Sequence, residues 1–244
     1  MRPVLAPLLI ALVLPLPPLV AAQEGSPPPS LNKTDREIMS SEAFLGAHPD
    51  LKHRLAGLDA YSRGEFETAR KEFLRAARYA DKPSQGLLGE MHWKGQGAAA
   101  DRALAYAWMD IAAERAYPML LIKREEYWAA MTPEERDRAI VVGRDLLDEY
   151  GDAAAKPRLE KRLKQARRET TGSRVGSVGN LQIQIPTANG WRTVRGEEYY
   201  AETFWKPEQY WQWQDFDWKH PGQGTVEVGD VMTGRDVPPP DADD

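Results

Sequence analysis

Four patterns in this chain could carry chemistry, and each depends on the backbone that would have to hold it. Gly95-Gln96-Gly97-Ala98-Ala99-Ala100 satisfies the Gly-x-Gly-x-x-Gly/Ala pattern of dinucleotide sites. That chemistry needs a strand before the turn, so that a pyrophosphate meets a helix N-terminus. Leu87 to Trp93 reads instead as a helix, so the glycines mark a turn inside a helical hairpin. The four histidines, His48, His53, His92 and His220, never sit four apart beside a glutamate, the arrangement that puts two zinc ligands on one helix face. With no cysteine in the chain, neither a metal nor a cofactor is expected. Gly172-Ser173-Arg174-Val175-Gly176 places serine second rather than third, which is not a nucleophile elbow. The carboxylate pairs Glu134-Glu135 and Glu197-Glu198 are of the type a glycosidase uses, but helix capping and a solvated face account for them. No catalytic residue is assigned; an enzyme would need a convergent acid/base cluster in a cleft.

Two further stretches point to binding rather than catalysis. Tyr199, Tyr200, Phe204, Trp205, Tyr210, Trp211, Trp213, Phe216 and Trp218 place nine of the 22 aromatic residues within 20 positions. They read either as the core of a small domain or as a surface stacking on sugar rings or a proline-rich peptide. On a strand, Trp211 and Trp213 share one face. Trp205, Tyr210, Trp211 and Trp213 are the candidate residues for that surface, which makes an envelope glycan such as peptidoglycan the alternative ligand. Lys156 to Arg168 holds seven basic residues against one acid, Glu160, with Leu159, Leu163 and Ala166 along one side. It reads as a basic helix, either a solvated connector or a contact for anionic lipid headgroups.

The elements that must position these residues repeat. Ala69, Ala76, Ala77 and Ala80 recur 36 residues later as Ala105, Ala112, Ala113 and Ala116, whereas Tyr61 and Gly64 recur after 31 as His92 and Gly95. The five-residue difference falls in the turn at Gln96 to Ala100. Each unit is therefore one helical hairpin. Small alanines let the helices approach, and Phe73 and Trp108 fill the groove they leave. Gly64 and Gly95 suit the left-handed position that ends each first helix, and Asp101 can cap the second helix of its pair. A lone hairpin cannot bury its apolar face, so neighbours must stack on it.

In the second unit, Leu88, Gly89, Met91, His92, Gly95, Gly97, Asp101, Leu104, Ala105, Trp108, Ala112, Ala113 and Ala116 resemble the signature of the Sel-one-like repeat (SLR), a relative of the tetratricopeptide repeat. His92 stands where the family has Tyr, Ala98 where it has Val, Leu104 where it has Lys and Ala116 where it has Gly. The resemblance covers about 80 of the 244 residues and implies a scaffold whose concave surface, lined by the first helix of each pair, holds a protein or peptide. On that basis the partner-binding candidates are Tyr61, Glu65, Met91, His92, Trp93 and Lys94, some of which must face the core. The expected fold is mainly α: a short α-solenoid of SLR/tetratricopeptide-like hairpins, followed by a basic helix and a small aromatic-rich β-containing module.

Around the repeats, Thr34 to Phe44 reads as a short helix with Thr34 as cap and Glu37 completing a capping box. After Tyr117-Pro118 a helix covers 119–131. Thr132-Pro133-Glu134-Glu135 starts another that ends at Gly151. Leu181-Gln182-Ile183-Gln184-Ile185 alternates with period two ahead of Asn189-Gly190, a hairpin signal with Trp191 to Arg195 returning, and 225–231 is a further strand candidate. The domain reading is 1–22 signal peptide, 23–50 linker with a possible short helix, 51–151 repeat domain, 152–174 basic helix and hinge, 175–235 aromatic module and 236–244 disordered acidic tail.

Composition sets the compartment. Met1-Arg2, the apolar run Leu8 to Leu14 and the small residues of Val20-Ala21-Ala22 describe an export signal cleaved near Ala22. That run is too short and proline-broken to span a bilayer, and no other stretch approaches the roughly 20 apolar residues a transmembrane helix needs. Without a cysteine at the cleavage site, a lipoprotein is excluded, and a periplasmic or secreted chain without disulfides is expected. Loss of Arg2 moves the formal charge from −5 to −6, which argues against nucleic acid as a partner.

Overall fold

The computed structural model describes residues 30–171, 181–187 and 190–220. The export signal, the 172–176 motif, Asn189, the 225–231 strand candidate and the acidic tail lie outside the described residues. The chain runs α1 (Lys33–Ser40), α2 (Glu42–Ala47), α3 (Pro49–Ser62), α4 (Phe66–Ala77), α5 (Lys82–Lys94) and α6 (Arg102–Ala112), then a 3-10 turn (Ala113–Arg115). It continues with α7 (Pro118–Ala130), α8 (Pro133–Tyr150), α9 (Asp152–Thr171), β1 (Gln182–Thr187), β2 (Gly190–Arg195), α10 (Gly196–Tyr199), α11 (Glu202–Trp205) and α12 (Pro207–Lys219). The architecture is an α-helical repeat stack with a two-stranded sheet.

The two repeats form the hairpins α3–α4 and α5–α6, and all the recurring alanines but Ala116 are buried. Ala116 and Ala80 instead end their units in the left-handed region, at φ 56° and 62°. Close helix approach comes from a glycine facing a bulky residue. A Cβ on Gly57 would lie 2.5 Å from the Phe73 ring, and one on Gly89 would lie 3.0 Å from the Ala105 carbonyl and 3.2 Å from Met109. Gly64, Gly95 and Gly97 hold φ of 77°, 69° and 72°, values that only glycine adopts at little cost. The Asp101 carboxylate accepts the Leu104 N–H and caps α6. Beyond the hairpins, α8 packs along α6, with Trp108 edge-on to Tyr150. Its start is the expected capping box of Thr132 and Glu135. Gly151 ends α8 with an extended backbone rather than a left-handed one; it is needed there because a Cβ would sit 2.5 Å from the Leu147 carbonyl.

Several local expectations shift. The capping box of α1 is built from Asn32 and Asp35, not Thr34 and Glu37, and the segment breaks at Ser41 into two helices because Ser41 caps α2. The hairpin forms as an antiparallel pair with Ile183 opposite Val194 and Ile185 opposite Arg192. The aromatic run that follows is helical, so Trp211 and Trp213 do not share a strand face; they lie on α12.

The largest core joins both ends of the chain. Ile38, Phe44, Ala47 and Leu51 pack with Ala155, Leu159, Leu163 and Ala166 of α9 and with Ile185, Val194, Tyr199, Tyr200, Phe204, Trp205, Tyr210, Trp211 and Trp213. Residues 33–47, read as part of a linker, thus contribute to a core, and the aromatic segment does not stand apart as a module. Its rings need apolar cover that β1–β2 alone cannot supply, and α2 and α9 provide it.

Candidate functional site

The first helices of the hairpins, α3 and α5, touch each other through side chains, and α5 in turn meets α7. Arg54 of α3 pairs with Asp81 at the start of α5 (Nη1 to Oδ1, 3.1 Å), and the Tyr61 hydroxyl donates to Gln96 just past its end (3.0 Å). Gly86 of α5 faces Leu120 of α7, and Trp93 stacks on Tyr127 with ring centroids 4.0 Å apart. These helices leave apolar residues in water: Leu55 (50% exposed) and Leu58 (42%) on α3, Met119 (64%) and Ile122 (54%) on α7. Each pair is spaced i, i+3 and forms one contiguous spot. The charges around them are matched locally, Arg63 with Glu65 and Asp59, and Lys94 with Glu90 (2.8 Å).

The structure separates the six partner-binding candidates. Glu65 and Lys94 are exposed, and Tyr61 and Trp93 are half-buried. Trp93 lies between Tyr127 and the Arg102 guanidinium, 4.8 Å from its ring. Met91 and His92 are buried, which corrects their reading as contact residues. Met91 stands 31 positions after Ala60 and takes the same core position against the second helix of its hairpin. Burial holds the His92 imidazole below its ordinary range, with Arg70 adding to the effect.

Trp205, Tyr210, Trp211 and Trp213 are all buried. Sugar stacking needs an open ring face, so the structure corrects the reading of these four as a glycan surface. In the basic helix, Leu159, Leu163 and Ala166 face the shared core, leaving no apolar stripe for lipid. Arg158 binds the Glu149 carbonyl, Arg162 the Gly46 carbonyl (2.9 Å) and Lys156 the Asp152 carboxylate (3.1 Å). Lys161, Lys164 and Arg168 are exposed.

What the spacing did not reveal is a buried ionic seam at the N-terminal ends of α3 and α5. Asp50, at the start of α3, accepts hydrogen bonds from the Tyr210 hydroxyl and from Gln214 Nε2 (3.1 Å) of α12. Asp81 caps α5 by accepting the Ser84 N–H (3.1 Å). Burial pushes its carboxyl above the usual range against the pull of Arg54. The fully buried Lys82 ammonium donates to the Ile111 carbonyl (3.0 Å) and Glu114 (2.7 Å), and lies 3.0 Å from Asp152. Arg115 grips Asp152 through two parallel bonds of 2.7 and 2.9 Å and lies over Trp211, 4.7 Å from its ring. The Tyr117 hydroxyl donates to Asp215 of α12 (2.6 Å).

His48 completes the junction: its ring nitrogens lie 2.9 Å from the carbonyl oxygens of Phe44 and Phe204. Burial lowers its imidazole below the ordinary range, with Asp50 opposing. Most of these groups bond one another, although Asp50 Oδ1 accepts no hydrogen bond among the described residues. The seam ties α12 and α9 to the N-termini of α3 and α5. Asp81, preceding Lys82-Pro83, was legible as a helix start; nothing in the spacing marked the other charges as buried. Among the described residues no group of three or more His, Asp or Glu side chains is placed to hold a metal ion.

No protein-family model and no curated protein matches the chain. A search of solved structures finds a protective antigen present in uropathogenic Escherichia coli strains, described as displaying an SLR fold, at 21% identity and a TM-score of 0.40. The match covers 46% of this chain and 25% of that one, so this chain spans about a quarter of that protein's length.

Proposed function

We propose that the protein is an exported, non-catalytic scaffold that binds a protein or peptide partner in the bacterial cell envelope, through the side lined by α3, α5 and α7. The observation that carries this reading is the pair of exposed apolar spots, Leu55–Leu58 and Met119–Ile122, held on helices whose other faces are locked into the stack. Rigid presentation of apolar anchors lowers the ordering cost of binding. The matched charges around them provide a polar rim. On this reading Tyr61, Glu65, Trp93 and Lys94 supply the polar and aromatic contacts of that surface. Export rests on the Met1–Ala22 segment; among the described residues no helix is long and apolar enough to cross a membrane.

In-cell crosslinking and affinity capture of the full protein test the reading. A partner captured by the wild type is expected to be lost with Leu58→Glu and with Ile122→Glu, and retained with Lys71→Glu at an exposed position of α4. Capture that is indifferent to both the Leu58 and the Ile122 variants would overturn it.

A further inference from the structure

A different surface of the molecule carries charges and apolar residues that match themselves. On α8, Asp137, Ile140, Val141, Arg144, Leu147 and Asp148 recur at i, i+3, i+4, i+7, i+10 and i+11, the spacing of one continuous helix stripe. The opposite face of α8 is occupied by α6, through Ala139 and Gly143. The stripe itself faces water: Ile140 is 50%, Val141 63% and Leu147 51% exposed. Arg138, one residue off it, is held by Asp101 at 2.6 Å. Asp137 and Arg144 have no ion pair or side-chain hydrogen bond among the described residues. A shallow groove of about 430 Å³ runs along one margin, floored by Ala107, Ile111, Gly143 and Leu147.

We propose that this stripe is the contact between two copies of the chain, packed as an antiparallel α8–α8 pair about a two-fold axis at Ile140 and Val141. In that register Ile140 of each copy meets the partner's Val141, and Asp137 meets the partner's Arg144. The two charge pairs then flank the Ile140–Val141 centre symmetrically, while Leu147 falls opposite the partner's Glu134 and lies at the margin, outside the apolar contact. A two-fold contact must be self-complementary, and the neighbouring registers fail that test. Moving the axis two residues toward Tyr150 sets Asp137 against the partner's Asp148 and Ile140 against the partner's Asp145. Placing it at Arg144 sets the two guanidiniums against each other. Charge therefore selects one register, as at helix pairs whose flanking charges choose partner and orientation. The contact is a single helix face, so the dimer forms in the micromolar range and loosens as salt screens its exposed pairs. The two-fold would carry two copies of the proposed partner surface in one assembly, so an extended partner would gain avidity without any new contact.

Sedimentation equilibrium of the full protein, with Asp137→Arg and Arg144→Asp, decides this. Both changes are on the surface, and circular dichroism reports whether each variant is folded. The wild type is expected to dimerise, and either reversal to weaken dimerisation by about tenfold or more, because like charges then face each other twice. Mixing the two variants restores a dimer. The cation introduced at position 137 of one copy then meets the carboxylate introduced at position 144 of the other, while the native pair forms alongside. A wild type that remains monomeric through the micromolar range, or a mixture no more associated than its parts, would overturn the proposal and leave the stripe to a different protein.

Discussion

The Tyr210 hydroxyl on α12 donates to the carboxylate of Asp50 at the start of α3, 160 residues earlier in the chain, and neither side chain reaches water. Gln214 is the second side-chain donor to Asp50 at this point. The Tyr210→Phe change keeps the ring and removes the donor from a buried acid, a loss worth about 1–3 kcal/mol. A correspondingly lower midpoint in denaturant with an unchanged slope is expected. A midpoint within error of the wild type would show that the bond contributes nothing net.

The turn glycines rank in a definite order. Gly64 and Gly97 share the left-handed conformation, but a Cβ on Gly64 meets open space whereas one on Gly97 would lie 2.5 Å from the Phe66 carbonyl oxygen. Gly64→Ala therefore carries the backbone cost alone, about 1 kcal/mol. Gly97→Ala adds a clash with main-chain atoms and is expected to cost at least twice as much. Equal thermal shifts for the two variants would contradict this account.

The repeat was legible because packing imposes a period on residue types. Ala69, Ala76, Ala77, Ala105, Ala112 and Ala113 are buried as their spacing requires, and Gly64, Gly95 and Asp101 take the turn and cap positions. Ala80 and Ala116 instead end their units in the left-handed region. The same arithmetic could have removed Met91 from the binding candidates, since its counterpart Ala60 is a core position. Leu55 and Leu58 were not singled out because α3 carries two stripes, one facing α4 through Gly57 and Ala60 and one facing water. The helices of the aromatic segment are not legible because its nine rings, spread over 20 residues, follow neither the helical nor the strand period. Their partners come from Phe44 and Leu159, far away in sequence, and no local pattern encodes such a pairing. The ionic seam was invisible for the same reason: its charges are buried by the packing of α9 and α12.

A chain ending at Arg195 should lose its fixed tertiary structure while keeping much of its helix. It removes Tyr199, Tyr200, Phe204, Trp205, Tyr210, Trp211 and Trp213 from one core. At about 2 kcal/mol or more for each buried ring, that loss equals or exceeds the 5–15 kcal/mol that holds a typical domain. Retained far-ultraviolet dichroism, a flattened near-ultraviolet spectrum and dye binding to exposed apolar surface are the expected signs. Cooperative unfolding of the shortened chain at the wild-type midpoint would mean that the repeats stand without the C-terminal segment.

Asp152 sets how the fold responds to acid. Burial by itself would raise its carboxyl, but the two bonds from Arg115, with Lys82 and Lys156 nearby, bring it well below the usual carboxylate range. A carboxylate depressed in the folded state contributes its full stability above its unfolded value of about 4 and loses it as the pH falls from there. Asp81, raised by burial, works in the opposite sense and favours the folded chain on acidification. The acid limb is therefore expected to be governed by Asp152. Asp152→Asn leaves Arg115 and the fully buried Lys82 facing an uncharged group, at a cost of about 3 kcal/mol at neutral pH. Because that variant has nothing to protonate at this position, the gap between it and the wild type should narrow steadily below about pH 4. Denaturant midpoints measured from neutral to acid pH test both statements. A gap that stays constant across that range would remove Asp152 from the acid response.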